Sequence, residues 1–264
     1  MLKIGCTAAE SKIDAINTKN NLIKKFGFVD LNLNENTEVD IIIMLGGDGF
    51  ALHMIHKFMH LNAKFYGLNY GHLGFLMNKK SLAENDNFYE SIINAQQFVI
   101  NPLLAKITDI NGKIYEKLAI NDISITRKTS QTAKLQIFVD DILRMPEMIG
   151  DGVLISTPIG STAYNVSVGG PILPINCNLL AVTPISPFRP RYWRGAMLDN
   201  SSVIKIKNLN IESRPISVTA DFNSVRDVVD VEIILQKNIQ VTMLFDNDFL
   251  IKDRIMREQF MVYN

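Results

Sequence analysis

The sequence predicts an α/β domain built on a doubly wound parallel sheet, followed by a mostly β domain. Three observations carry that prediction. Residues 41–45 are an unbroken apolar run, the mark of a strand buried on both faces, and they feed Gly46-Gly47-Asp48-Gly49. Strand-like runs and helical spacings alternate over residues 1–98. From Pro102 to about Leu244, short β-type runs recur between turn signals. The expected division is therefore 1–98, joined by about 245–264, and a β-rich domain over 99–244.

Taken in order, residues 2–6 form a first short strand, and residues 10–26 place Ile13, Ile16, Ile23 and Phe26 at helical spacing. Gly27 stands where a helix C-terminus needs a left-handed residue. A second strand is expected over 28–33, and polar residues 34–38 lead into the 41–45 strand. Phe50, Ala51, Leu52, Met54, Ile55, Phe58 and Met59 then trace a helix. Residues 65–68 form another short run leading into Gly71-His72-Leu73-Gly74-Phe75, and 83–97 reads as a helix closing this half. In the second half, 103–109 and 113–119 flank Asn111-Gly112, a hairpin signal because both turn positions need φ > 0. Runs at 123–127, 135–139, 153–156, 203–206, 216–219 and 231–235 continue the series. A last helix over 249–261 is expected to return to the first domain.

Composition excludes some partners. Lys+Arg and Asp+Glu are 27 each among 264 residues. Zero net charge supplies no general field for nucleic acid or an anionic membrane, and little repulsion against self-association. Cys6 and Cys177 have no metal-ligand spacing and read as buried free thiols of a reducing compartment. The N-terminal residues lack a signal-peptide core, and no run approaches the ~18 apolar residues of a membrane span. A cytoplasmic location is expected.

The chemistry concentrates in a few stretches. A carboxylate among glycines at a strand end gains nothing as a plain phosphate holder; Asp48 suits a proton acceptor or a ligand of Mg²⁺ arriving with a nucleotide. The alternative is a helix cap. Gly46, Gly47 and Gly49 let backbone amides approach phosphate oxygens. Gly71-His72-Leu73-Gly74 has only part of a dinucleotide fingerprint, and His72 reads as a structural loop residue. Asn121-Asp122 can meet an adenine edge and a ribose diol, or simply close a turn. The run from Gly150-Asp151-Gly152 through Thr162-Ala163-Tyr164-Asn165-Val166-Ser167 to Gly169-Gly170 offers hydroxyls, an amide and an aromatic face for a nucleotide; a surface loop is the alternative. No P-loop, nucleophile elbow or His-Glu-x-x-His motif is present. His53, His56 and His60 share a helical face, but no carboxylate or Cys joins them, so no metal site is assigned.

These motifs, in this order and over nearly the whole chain, resemble those of bacterial NAD kinases; Gly-Gly-Asp-Gly alone is shared with diacylglycerol, sphingosine and 6-phosphofructo-kinases. The resemblance implies phosphoryl transfer from ATP, with Mg²⁺ or another divalent cation, to the adenosine ribose 2′-hydroxyl of NAD. It makes Asp48 the residue that takes the proton. It places Asp48, Gly49, Phe75, Asn121, Asp122, Thr162, Ala163, Tyr164, Asn165 and Ser167 around NAD. Asp151 matches an acid that relatives supply from a neighbouring subunit, which implies a homo-oligomer, dimer or tetramer. The chain departs from the pattern at Asp122, where relatives often have Glu, at Ile149, where many have Arg, and at Thr132, where some have His or Arg. A diacylglycerol-type lipid kinase and a non-catalytic NAD sensor are the competing readings. The first lacks an amphipathic basic surface, and the second has no use for a base.

Overall fold

The computed structural model describes residues 2–71, 74–246, 256 and 260. His72, Leu73 and the helix expected over 249–261, Met256 and Phe260 apart, lie outside them. Two compact units are present. The first spans Met1–Ile100 and takes in the strand Val241–Phe245; the second is Asn101–Ile239.

In the first unit the strands run Val29–Asp30, Ile4–Ala8, Ile41–Gly46, Lys64–Asn69, Val241–Phe245, Gln96–Ile100, with Asn78–Lys79 pairing beside Lys64–Asn69. All neighbours are parallel except the last pair. Ile41–Gly46 is buried along its whole length. Ile41, Ile43 and Leu45 join one core with Ala15 and Leu22 of the helix Ile13–Phe26. By the two-residue period of a strand, Ile42 and Met44 face the other side, which explains the unbroken apolar run. The helix Asp48–Phe58 buries Ala51, Ile55 and Phe58. Gly27 closes the first helix at φ 70, donating its N–H to the Ile23 carbonyl.

The second unit holds two six-stranded antiparallel sheets. One runs Ile142–Gly150, Ala133–Val139, Ile204–Asn208, Val228–Leu235, Leu103–Asp109, Ile114–Ala119; the other Ala196–Asp199, Leu179–Ile185, Gly152–Ser156, Asp122–Arg127, Ile216–Ala220, Asn223–Arg226. Their inward faces meet in a single core that includes Ile107, Leu135, Ile206 and Val231 from one sheet and Ile125, Val153, Val182 and Val218 from the other.

Several expectations need correction. The helix over 83–97 is a 3-10 turn, Lys80–Glu84, a short helix, Phe88–Ile93, and the strand Gln96–Ile100. Asn85-Asp86-Asn87 interrupts the helical period, and Phe98-Val99-Ile100 favours the sheet edge. Only Val29–Asp30 of the 28–33 run pairs, because the chain turns at once, Asn34 donating to the Asp30 carbonyl. At the Asn111-Gly112 hairpin only Gly112 has positive φ, 75°. The Asp109 carboxylate accepts the amides of Asn111 and Lys113 and holds a longer turn. The chain returns to the first unit at Val241–Phe245, ahead of the expected boundary near 244. Both cysteines are free, but only Cys6 is buried; Cys177 is partly exposed. Among the described residues no helix is long and apolar enough to cross a membrane.

Candidate active site

Asp48 is the first residue of the helix Asp48–Phe58, directly beyond the carboxyl end of the buried strand Ile41–Gly46. Open parallel sheets bind ligands at this end, where helix N-termini gather. Gly47, the N-cap, supplies no side-chain cap, so the first-turn amides have no partner from that position. The Asp48 carboxylate is held from the loop after Lys64–Asn69: Phe75 donates its N–H to Oδ2 at 2.6 Å, and Leu76 donates to Oδ1 at 3.1 Å. A side chain at Gly74 would put its Cβ 3.0 Å from Asp48 Oδ1 and 3.2 Å from the Asn69 carboxamide. Asp48, Gly74 and Phe75 are thus one assembly, built from two loops of one sheet.

None of Gly46, Gly47 and Gly49 has positive φ, so the turn does not need glycine for the left-handed region. Gly46 is needed for packing, since a Cβ there would lie 2.5 Å from the Phe50 ring. A Cβ at Gly49 meets nothing within 4 Å.

In the second unit, Asn121 precedes the strand Asp122–Arg127, and Asp122 faces Ser156 across the ladder. The Asn121 carbonyl accepts the Thr157 amide at 3.0 Å and the Thr157 hydroxyl at 3.1 Å. Gly160 packs directly on the Asn121 backbone; a Cβ there would lie 2.1 Å from the Asn121 carbonyl oxygen. This contact brings the loop holding Thr162, Ala163, Tyr164, Asn165 and Ser167 beside Asn121-Asp122. The Asn121 and Asp122 side chains make no hydrogen bond among the described residues, although Asp122 is only 8% exposed. Burial, and then the neighbouring Asp221 charge, push the Asp122 carboxyl up to about 7.

The 3-10 turn Ile159–Thr162 and the short helix Tyr164–Ser167 form this loop. Tyr164 is exposed, whereas Asn165 is fully buried and turned inward. Asn165 donates to the carbonyls of Pro171 at 2.8 Å and Ser161 at 3.3 Å, and accepts the Thr183 hydroxyl at 2.6 Å. Its amide shapes the loop. Asp151 stands apart from these groups: it precedes Gly152–Ser156, while Thr157 and the loop follow it. Five strand residues set the two ends about 17 Å apart. Asp151 pairs there with Arg127. Thr132, one of the departures noted above, accepts Arg214 at both its carbonyl and its hydroxyl.

Asp221 is the site-building residue that sequence reasoning missed: its carboxylate accepts the amides of Ile120, Asn121 and Asp122. It lies about a hundred residues downstream in a turn, where Asp is commonplace, and only the pairing of strands brings it back. His60 leaves the α-helical period in the 3-10 turn Met59–Leu61, and among the described residues no three His, Cys, Asp or Glu side chains converge as a metal cage requires.

Comparison with known proteins identifies the family of both halves of the chain. The family model for the ATP-NAD kinase N-terminal domain matches residues 3–97, and that for the ATP-NAD kinase C-terminal domain matches residues 120–242. The NAD kinase of Rickettsia typhi is 49% identical over 227 residues, 84% of this chain and 86% of that protein. The NAD kinase of Rickettsia canadensis is 46% identical over 229 residues, 87% and 89% of the two chains. Yeast NADH kinase complexed with NADH superposes with a TM-score of 0.83 at 21% identity, over all of this chain and 89% of that one. An Archaeoglobus fulgidus NAD kinase in complex with ATP gives 0.74 at 19% identity, over 94% and 95%. The two structures speak for the fold, α/β unit and β-rich unit alike. With both halves matched by its domain models and relatives near half identical along most of their length, the chain belongs to the ATP-NAD kinase family.

Proposed function

We propose that this chain phosphorylates NAD to NADP, with ATP as donor and Asp48 as the base. The observation that carries the proposal is the placing of Asp48: a carboxylate at the tip of a buried strand, clasped by two backbone amides beside an open glycine turn. The ribose 2′-oxygen attacks the terminal phosphorus of ATP, the bond to the leaving ADP oxygen breaks, and the hydroxyl proton passes to Asp48. Two donated N–H groups, one on each carboxylate oxygen, fix the orientation of Asp48, and it acts by that orientation.

The first-turn amides and Gly46, Gly47 and Gly49 receive donor phosphate oxygens. Mg²⁺ bound to ATP would neutralise charge on the triphosphate. Phe75, Asn121, Asp122, Thr162, Ala163, Tyr164 and Ser167 line the NAD site, while Asn165 keeps its loop in shape. The separation of Asp151 from these groups along Gly152–Ser156 supports its serving the site of a second copy. On this reading the enzyme is a homo-oligomer, dimer or tetramer, of the cytoplasm.

The test is incubation with ATP, Mg²⁺ and NAD, with NADP read by an NADP-specific dehydrogenase. Asp48→Asn is expected to keep the fold and NAD binding while turnover falls by roughly 10²–10⁴-fold, the worth of a placed base. Turnover close to normal in that variant removes the role given to Asp48.

A further inference from the structure

Three successive amides, those of Ile120, Asn121 and Asp122, converge on one side chain. Asp221 Oδ2 accepts Ile120 N–H at 2.7 Å, and Oδ1 accepts Asn121 N–H at 2.9 Å and Asp122 N–H at 3.3 Å. Asp221 in turn donates its own amide to the Asp122 carbonyl at 3.0 Å. Amide bonds to a carboxylate are charge-assisted and stronger than neutral ones. Asp221 begins the turn between Ile216–Ala220 and Asn223–Arg226 at φ 52, a conformation unfavourable for a residue with a Cβ and best tolerated by Asn and Asp. From the opposite side, Thr157 takes the Asn121 carbonyl and Gly160 lies against its backbone. The backbone of this segment is therefore held on both edges. The polar side chains it carries have no hydrogen-bond partner among the described residues, even though Asp122 is more than nine-tenths buried. The Asn121 carboxamide and the Asp122 carboxyl thus keep their bonding capacity for a ligand.

We propose that Asp221 is a positioning residue for NAD: by gathering three amides it fixes Asn121-Asp122 in the orientation that receives the adenosine. The inference rests on the NAD-kinase reading above, but it concerns binding and not the transfer step. An Asn at 221 keeps one acceptor and turns an NH₂ toward an amide donor, so it weakens the clasp; Ala removes it.

Titration calorimetry with NAD and steady-state kinetics on Asp221→Asn and Asp221→Ala test the proposal. Kd and KM for NAD should rise about tenfold or more, Ala above Asn, the scale of losing a charge-assisted contact. KM for ATP should change by less than about twofold, a split that general destabilisation does not produce. Kd for NAD within about twofold of the parent, in a folded variant, overturns the proposal. Hydrogen exchange on the unsubstituted enzyme provides the measurement that needs no variant. The 120–122 amides should be protected before NAD is added and no more protected after. Protection that appears only with NAD shows the ligand ordering the segment, and also overturns it. A parent that binds NAD yet forms no NADP refutes the reaction and leaves the binding test intact; a parent that binds no NAD overturns both.

Discussion

A general base is useful only if it is aimed, and the role proposed for Asp48 depends on the residues that hold its carboxylate. Gly74 is the sharpest case. A methyl group there would crowd Asp48 Oδ1 and the Asn69 carboxamide, both movable ends of side chains. Gly74→Ala should therefore leave the melting temperature within a few degrees, since small overpacking costs about 1 kcal/mol. Turnover should drop about tenfold or more, because displacement by a fraction of an ångström spoils the attack geometry. Unchanged kcat would mean that the carboxylate does not act from this position. Asp122 is a carboxyl whose proton affinity is raised. With a folded value of about 7 against the ordinary ~3.9, the native state holds the proton that the unfolded chain releases. Stability from this group is full below about pH 4, declines as pH rises toward 7, and is flat beyond. Asp122→Asn removes that slope, so its melting temperature should match the parent near pH 4 and exceed it at pH 8. A constant difference across that range would show that Asp122 is not protonated in the fold. Asp48 was legible from sequence because a carboxylate among glycines at a strand end is chemically odd. Asp221 was not, because its partners are assembled by strand pairing.

Elements explain why the loop of Ile159–Thr162 and Tyr164–Ser167 can carry so many polar groups and keep one shape. Asn165 joins the two halves of the loop to Thr183 on the neighbouring strand, and Gly170 leaves room for its carboxamide, a Cβ there falling 2.2 Å from Asn165 Oδ1. Asn165→Ala would strand a buried hydroxyl and two carbonyls. The expected cost is about 2–4 kcal/mol, seen as a fall in melting temperature of roughly 5–10 °C. KM for NAD should rise as well, because Tyr164 and Ser167 lose their mounting. A shift under a degree or two in a calorimeter would rule out this holding role. The sequence named these loop residues but not their division of labour, since burial decides which of two adjacent polar side chains faces the ligand. Strand legibility followed the same physics. Leu103–Asp109 and Ala133–Val139 largely alternate buried with less buried residues and were found. Ile142–Gly150 was missed: it is an edge strand with most of its side chains in water, and it carries Arg144, Pro146 and Glu147 where a core strand could not.

At the scale of the molecule, two units with separate cores are joined by a chain that leaves the first after Ile100 and returns near Gln240. The alternation of strands and helices announced the first core and the recurrence of short runs the second. The return strand Val241–Phe245 stayed hidden, because its short apolar run looks like one more strand of the β-rich series until its pairing with Lys64–Asn69 and Gln96–Ile100 is known. Zero net charge leaves copies of the chain free to associate. Asp151 gives that association a function that can be tested. Within one chain it lies about 17 Å, one strand length, from the Asn121-Asp122 end of Gly152–Ser156. If it completes the site of a second copy, Asp48→Asn and Asp151→Asn should each be nearly inactive alone. Unfolding and refolding the two together should restore activity, since some mixed sites then pair an intact Asp48 with an intact Asp151 from the other copy. The yield should approach a quarter of the parent value if copies mix at random in pairs and each site draws on one neighbour. Recovery requires sharing; a mixture no more active than its inactive parts, with mixed oligomers verified by mass, would confine Asp151 to its own chain.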